Sequence, residues 1–196
     1  MVWLDYLHQL LDLLPSRKLK REKQKLRNYL LQKRRILTEE EIAVCSKEVV
    51  EQILADPNFE SAKRVMLYYP VKHEIDLRAL FTLAPEKEYY LPIAHTTRMS
   101  VKRYTGEDNM HKGKYHIPEP LGDDYRGDLD LILVPGVAFD KEHYRLGRGA
   151  GYYDRFLEKF KNTWKIGVGY AFQYKSRIPK GKHDMQVNHL IFSKTK

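Results

Sequence analysis

Residues 129–157 read LDLILVPGVAFDKEHYRLGRGAGYYDRFL, and this stretch decides the fold. Leu129 to Val134 is a nearly continuous apolar run of strand length, closed by Pro135-Gly136. Such a run predicts a strand buried on both faces, as in a parallel sheet covered by helices. About a dozen residues further on, Gly147, Gly149 and Gly151 stand at alternate positions, with Arg145 and Arg148 set among them. Tyr152-Tyr153-Asp154 then opens a helical pattern running from Gly151 to Phe160. Glycines let a backbone curl so that several N–H groups face one anion. The helix N-terminus adds unpaired donors and partial positive charge. Two arginines add planar, charged donors. The stretch therefore reads as a strand leading to a phosphate cradle. It contains no G-x-x-x-x-G-K-[ST], so it is not a P-loop. Its glycine spacing and the long gap after the strand also differ from the dinucleotide-binding fingerprint.

Outward from this stretch, strands and helices alternate. Residues 17–36 predict a helix with an apolar stripe of Leu19, Leu26, Leu30 and Leu37. Thr38 and Glu41 form a capping box for a second helix reaching about Leu54, ahead of Asp56-Pro57. Strands are expected at 64–69, 88–91, 99–104, 164–170 and 190–193, with a short helix at 76–83 and mostly loop at 105–128. This alternation predicts an α/β fold with a mixed sheet. A chain of 196 residues without an internal linker is one domain at 17–196, preceded by an amphipathic extension at 1–16. In that extension Leu4, Leu7, Leu11 and Leu14 fall on one helical face, a surface for packing on its own domain or for a weak dimer. The expected state is monomeric.

Composition narrows the function. One cysteine, Cys45, excludes an intrachain disulfide framework, in keeping with a cytoplasmic protein. Cys45 lies at helical spacing with Ile42, Val49 and Ile53, which places it in a core rather than in a nucleophilic site. No apolar run approaches the roughly 18–20 residues that span a membrane. The net charge of +9 is concentrated in residues 17–36, which hold ten Lys or Arg and one acid. A basic helix suits nucleic acid, a polyanionic small ligand or plain solvation. No nucleic-acid-binding motif accompanies it. The eight histidines show no zinc spacing. Asp154 sits in the first turn of the helix after the glycines, where the helix dipole alone favours an acid. It also meets magnesium's preference for a carboxylate beside substrate phosphates.

The run from Leu129 to Leu157, with its glycines, arginines and Tyr-Tyr-Asp in order, resembles the signature of the 5-formyltetrahydrofolate cyclo-ligase (methenyltetrahydrofolate synthetase) family. The resemblance covers about residues 20–195. It implies a three-layer α/β/α fold with a mixed, largely parallel sheet, related to the ribose-phosphate isomerase and CoA-transferase group. It implies ATP-dependent cyclisation of 5-formyltetrahydrofolate, with ADP and phosphate released. Carried onto this chain, it makes Arg145 and Arg148 catalytic. It places ATP against Arg145, Leu146, Gly147, Arg148, Gly149, Ala150, Gly151, Tyr152 and Tyr153. The folate is expected at Arg148 to Tyr152, at Glu74 and at Tyr69. Magnesium is expected at Asp154 and at Asp184, the acid of the HDMQVNHL stretch. Lys23, Gln24, Lys25, Leu26 and Arg27 match the family's N-terminal KxxLR element at the ATP phosphates. Lys23 and Arg27, four apart, share one helix face, although a crowded basic helix offers such pairs readily. His116-Ile117-Pro118-Glu119-Pro120 resembles another family segment, with Tyr115 where tryptophan is common. Two other classes stay open: a phosphosugar isomerase-like or CoA-transferase-like enzyme, and a nucleic-acid binder driven by residues 17–36. Arg145→Ala and Arg148→Ala are both expected to lower turnover more than stability.

Overall fold

The computed structural model describes residues 2–113, 116–182 and 184–195, without the side chains of residues 2–15. Six strands form the central sheet: β1 (Arg64–Met66), β2 (Glu88–Ala94), β3 (Met99–Arg103), β6 (Leu131–Pro135), β9 (Trp164–Gly169) and β11 (His189–Phe192), in the spatial order β11-β9-β6-β1-β2-β3. All neighbours run parallel except β2 and β3, which form an antiparallel pair at one edge. The decisive strand β6 lies between β1 and β9, in register Leu131↔Trp164 to Pro135↔Val168.

The apolar run of β6 has no alternation because helices cover both of its faces. Leu131 and Leu133 join one core with Cys45, Val49, Val50 and Ile53 of α2 (Glu39–Leu54). Ile132 and Val134 join a second core with Phe156 and Leu157 of α5 (Tyr152–Leu157). These are the two outer layers of an α/β/α sandwich, as expected. Helix α2 begins with the expected capping box, with the Glu41 N–H donating to Thr38 and the Thr38 N–H donating back to Glu41. Cys45 is buried, with its thiol 3.4 Å from the Thr195 carbonyl. Helix α3 (Pro57–Ser61) follows, capped by Asp56.

Several elements differ from the sequence expectations. The helix at 17–36 is part of one uninterrupted α1, Val2–Arg35, which runs through Pro15. The apolar face at Leu4, Leu7, Leu11 and Leu14 lies outside the described side chains. The helix expected at 76–83 is only α4 (Leu80–Leu83), because Asp76 folds its carboxylate back onto Arg78 and holds a turn there. The stretch 105–128 is mostly loop, as expected, but it holds one strand pair that the sequence reading did not name. Strands β4 (Met110–Lys112) and β5 (Pro118–Pro120) pair antiparallel within it. Tyr115, at the tip between them, lies outside the described residues.

The long connection after β6 also has structure. β7 (Ala138–Asp140), β8 (Arg145–Leu146) and β10 (Tyr174–Lys175) make a small sheet at the carboxyl end of the large one. Phe139 seats it: a Cβ on Gly167 of β9 would lie 2.5 Å from the Phe139 ring, so the ring rests directly on backbone. Leu30 of α1 packs with Val137, Ala138, Leu146 and Ile178, which fixes α1 against this small sheet. Among the described residues, no helix is long and apolar enough to cross a membrane.

Candidate active site

Strand order locates the site. From β1 the chain moves to β2 on one side, while β6 lies on the other. Loops leaving the carboxyl ends of β1 and β6 therefore part in opposite directions and leave a crevice, the usual ligand position in open α/β sheets. The loop after β1 carries Glu74, and the connection after β6 carries the glycines and arginines.

Helix α1 closes the crevice with one face. Lys23, Leu26, Arg27, Leu30 and Arg34 are buried or half-buried, whereas Lys18, Arg21, Gln24 and Lys25 are exposed. The Arg27 Nε donates to the Gly147 carbonyl at 2.8 Å, so the helix holds the glycine loop directly. Gly149 lies beside the same guanidinium with φ +113°, and Gly151 starts α5 at φ +67°. Both are backbone states that L side chains rarely adopt, which is why the loop needs glycine there.

Every acid of the site faces a cation. Arg145 is 4% exposed and donates to Asp154 Oδ1 at 2.8 Å and to the Pro135 carbonyl at 3.3 Å, with its guanidinium over the Tyr153 ring at 5.3 Å. Lys23 pairs with Asp184, which also accepts from the Gly181 N–H at 2.6 Å. Arg148 donates to Glu74 Oε1 at 2.7 Å. Arg34 reaches the same oxygen at 3.5 Å, and Glu74 Oε2 accepts from the Val71 N–H at 3.1 Å. Glu74 is thus tied into a loop in which Lys72 and His73 take φ of 45° and 61°. The Tyr170 hydroxyl donates to the His73 carbonyl at 2.9 Å and holds that turn in place.

Burial drives the electrostatics. It lowers the pKa of Arg34, and Glu74 opposes that shift. It also lowers that of Arg27, with Asp184 and Asp154 acting against it and Arg145 with it. Asp184 pairs with Lys23, one helical turn before Arg27, and Asp154 pairs with Arg145 two residues before the Gly147 carbonyl that Arg27 holds, so both aspartates lie about the Arg27 guanidinium. Arginine stays charged under these conditions, so the crevice presents fixed cations to a polyanion.

The predicted site residues fall into four groups. Arg145, the residues from Gly147 to Asp154, Lys23, Arg27, Asp184 and Glu74 gather at the crevice. Leu26 and Leu146 instead pack in the core around Leu30. Gln24 and Lys25 lie on the exposed side of α1, and Gln24 bonds Asn28. Tyr69 turns to Arg78, which donates to its hydroxyl at 3.3 Å. Sequence reasoning missed Arg34, although its spacing of seven from Arg27 places it on the same helix face. It also missed the phenols of Tyr68 and Tyr170 beside Glu74, for which no local pattern exists.

The model of the 5-formyltetrahydrofolate cyclo-ligase family matches residues 19–193. The 5-formyltetrahydrofolate cyclo-ligase of Mus musculus is 27% identical over 188 residues, 87% of this chain and 93% of its own. A probable 5-formyltetrahydrofolate cyclo-ligase of Caenorhabditis elegans is 31% identical over 193 residues, 89% of this chain and 94% of its own. Among solved structures, the 5,10-methenyltetrahydrofolate synthetase of Aquifex aeolicus superposes with a TM-score of 0.80 at 40% identity, covering 88% of this chain and 90% of that one.

Proposed function

The chain belongs to the 5-formyltetrahydrofolate cyclo-ligase family, and we propose that its glycine loop and its Glu74 loop divide the two substrates of that reaction between them. The reaction is the ATP-dependent cyclisation of 5-formyltetrahydrofolate to 5,10-methenyltetrahydrofolate. Residues 17–196 act as one ATP- and folate-binding unit.

The chemistry explains the residues. A formamide is a poor electrophile, because its nitrogen delocalises into the carbonyl. Ring closure must also expel the carbonyl oxygen, and oxide does not leave. In this reading the formyl oxygen attacks the γ-phosphorus of ATP and ADP departs. The second folate nitrogen then attacks the activated carbon and gives up its proton, and phosphate leaves with the oxygen. Phosphoryl transfer needs positioning and charge neutralisation more than a protein nucleophile. Lys23, Arg27, Arg145 and the N–H groups of 145–153 hold the phosphates. Arg148 stands between the phosphates and Glu74. Glu74 accepts hydrogen bonds from the pterin, and Arg34 keeps its carboxylate in place.

Magnesium fits this donor set. Asp154 and Asp184 are two partly exposed carboxylates acting on one guanidinium, and magnesium takes one or two carboxylates together with substrate phosphates. The two aspartates would hold it, and when bound it neutralises charge on the transferring phosphates. Lys23, the present partner of Asp184, would then turn to the phosphate oxygens.

The observation that carries this reading is the 2.7 Å contact of Arg148 with Glu74, which joins the phosphate loop to the folate loop. The test mixes protein, magnesium-ATP and 5-formyltetrahydrofolate. The methenyl product absorbs in the near ultraviolet and is expected with one ADP per ring closed. ADP without the methenyl product, or neither, would refute the reading.

A further inference from the structure

Among the described residues, two buried side-chain polar atoms have no protein hydrogen-bond partner, and they are neighbours: Arg145 Nε and the Tyr153 hydroxyl. Buried polar groups are almost always paired, because an unpaired one forfeits its bond to water. The neighbouring phenols obey the rule. Tyr152 donates to the His95 carbonyl at 2.7 Å, Tyr68 to the Ile75 carbonyl at 2.9 Å and Tyr170 to the His73 carbonyl. Tyr153 alone of these four ends without an acceptor. Its ring is fixed between the second core and the Arg145 guanidinium, so the hydroxyl cannot swing out to find one.

Its surroundings indicate what it awaits. The charged side chains around the hydroxyl are Glu74 and Arg145. An ordinary phenol carries its proton at neutral pH, so this hydroxyl stands as a donor, with the Glu74 carboxylate near enough to act on it. An acceptor-only carboxylate beside a fixed donor matches a lactam edge, which offers N–H groups next to a carbonyl oxygen. The pterin of the substrate has such an edge, with its 2-amino and N3–H donors beside the 4-oxo acceptor. Resting on the functional reading above, we infer that the Tyr153 hydroxyl is a specificity-determining donor to the pterin 4-oxo oxygen while Glu74 accepts from the adjacent N–H groups. Tyr153 thus serves the folate as well as the phosphate loop in which it lies.

The test compares binding of 5-formyltetrahydrofolate with that of its 4-amino counterpart, which lacks the oxo acceptor, by calorimetric titration without ATP. Tyr153→Phe keeps the ring and its contact with Arg145. It should weaken the 4-oxo ligand roughly tenfold and leave the 4-amino ligand within about twofold. Its melting temperature without ligand should not fall, because the lost hydroxyl has no protein partner. Tyr89→Phe is the control: it removes a satisfied buried bond, from the Tyr89 hydroxyl to the Leu80 carbonyl at 2.8 Å, so it should melt earlier and keep the parent's ratio of affinities. Unchanged 4-oxo affinity in Tyr153→Phe, equal weakening of both ligands, or a parent that binds neither would overturn the inference. The titration needs no turnover. A parent that discriminates without cyclising would sink the reaction and leave this role standing, whereas a parent that cyclises beside an unaltered Tyr153→Phe would do the reverse.

Discussion

The two arginines of the glycine loop should separate sharply when each is changed to alanine. The expectation from sequence is that each change lowers turnover more than stability. Their side chains are 4% exposed for Arg145 and 46% for Arg148. Arg145→Ala strips Asp154, itself 20% exposed, of a 2.8 Å partner and opens a gap beside Tyr153. Removing one member of a fully buried pair costs about 3–5 kcal/mol. Allowing for the partial exposure of Asp154, the cost here is about 2–4 kcal/mol. At about 2–4 °C per kcal/mol for a chain of this size, the melting temperature should fall by roughly 5–15 °C. Arg148→Ala breaks a half-exposed contact to Glu74, which keeps Arg34 and the Val71 N–H. Its cost should be at most about 1 kcal/mol, or at most about 4 °C. Both variants should lose turnover. Thermal melts followed by circular dichroism, with steady-state rates at a temperature where both are folded, read the two effects apart. Arg145→Ala melting with the parent, or both variants losing the same stability, would refute the reasoning from burial.

Changing Lys23 and Arg27 together to Gln should raise the Michaelis constant for ATP roughly tenfold or more, whereas changing the exposed Lys18, Arg21 and Lys25 should give only small, salt-screened effects; equal loss from both sets would turn the helix into a general polyanion surface. Asp154→Asn should raise the magnesium concentration for half-maximal rate, and Asp184→Asn less so; a magnesium titration identical to the parent's removes Asp154 from the ligand set. Gly149→Ala and Gly122→Ala both force an L side chain onto positive φ, +113° and +94°, at about 1–3 kcal/mol each, yet only the first should weaken ATP binding. For Asp76, burial alone would raise the pKa, but the hydrogen bonds from Arg78 outweigh it and the net shift is downward. A depressed carboxylate stabilises the fold above its unfolded pKa of about 3.9 and loses that contribution as pH falls through the lower folded value. The stability gap between the parent and Asp76→Asn, measured by urea melts, should therefore be open at neutral pH and close below about pH 4; a gap that widens in acid would reverse the sign.

What could be read from the chain alone was local. The apolar run of β6, the capping box at Thr38 and Glu41 and the glycines after Arg145 are short-range patterns set by backbone sterics and by which face is buried. The helical period likewise separated Lys23 and Arg27 from Lys18, Arg21 and Lys25, because 100° per residue is a property of the helix itself. Tertiary structure alone decided the partners. Lys23 meets Asp184 across 161 positions, and Arg148 meets Glu74 across 74. The second contact follows from strand order, since β1 and β6 become neighbours only when the sheet forms, and the first from the docking of α1 on the sheet's carboxyl end. The same holds for Arg34 behind Glu74 and for the unpaired hydroxyl of Tyr153. A residue's type shows what it can bond, but whether a partner stands within reach depends on chain segments that no local pattern connects.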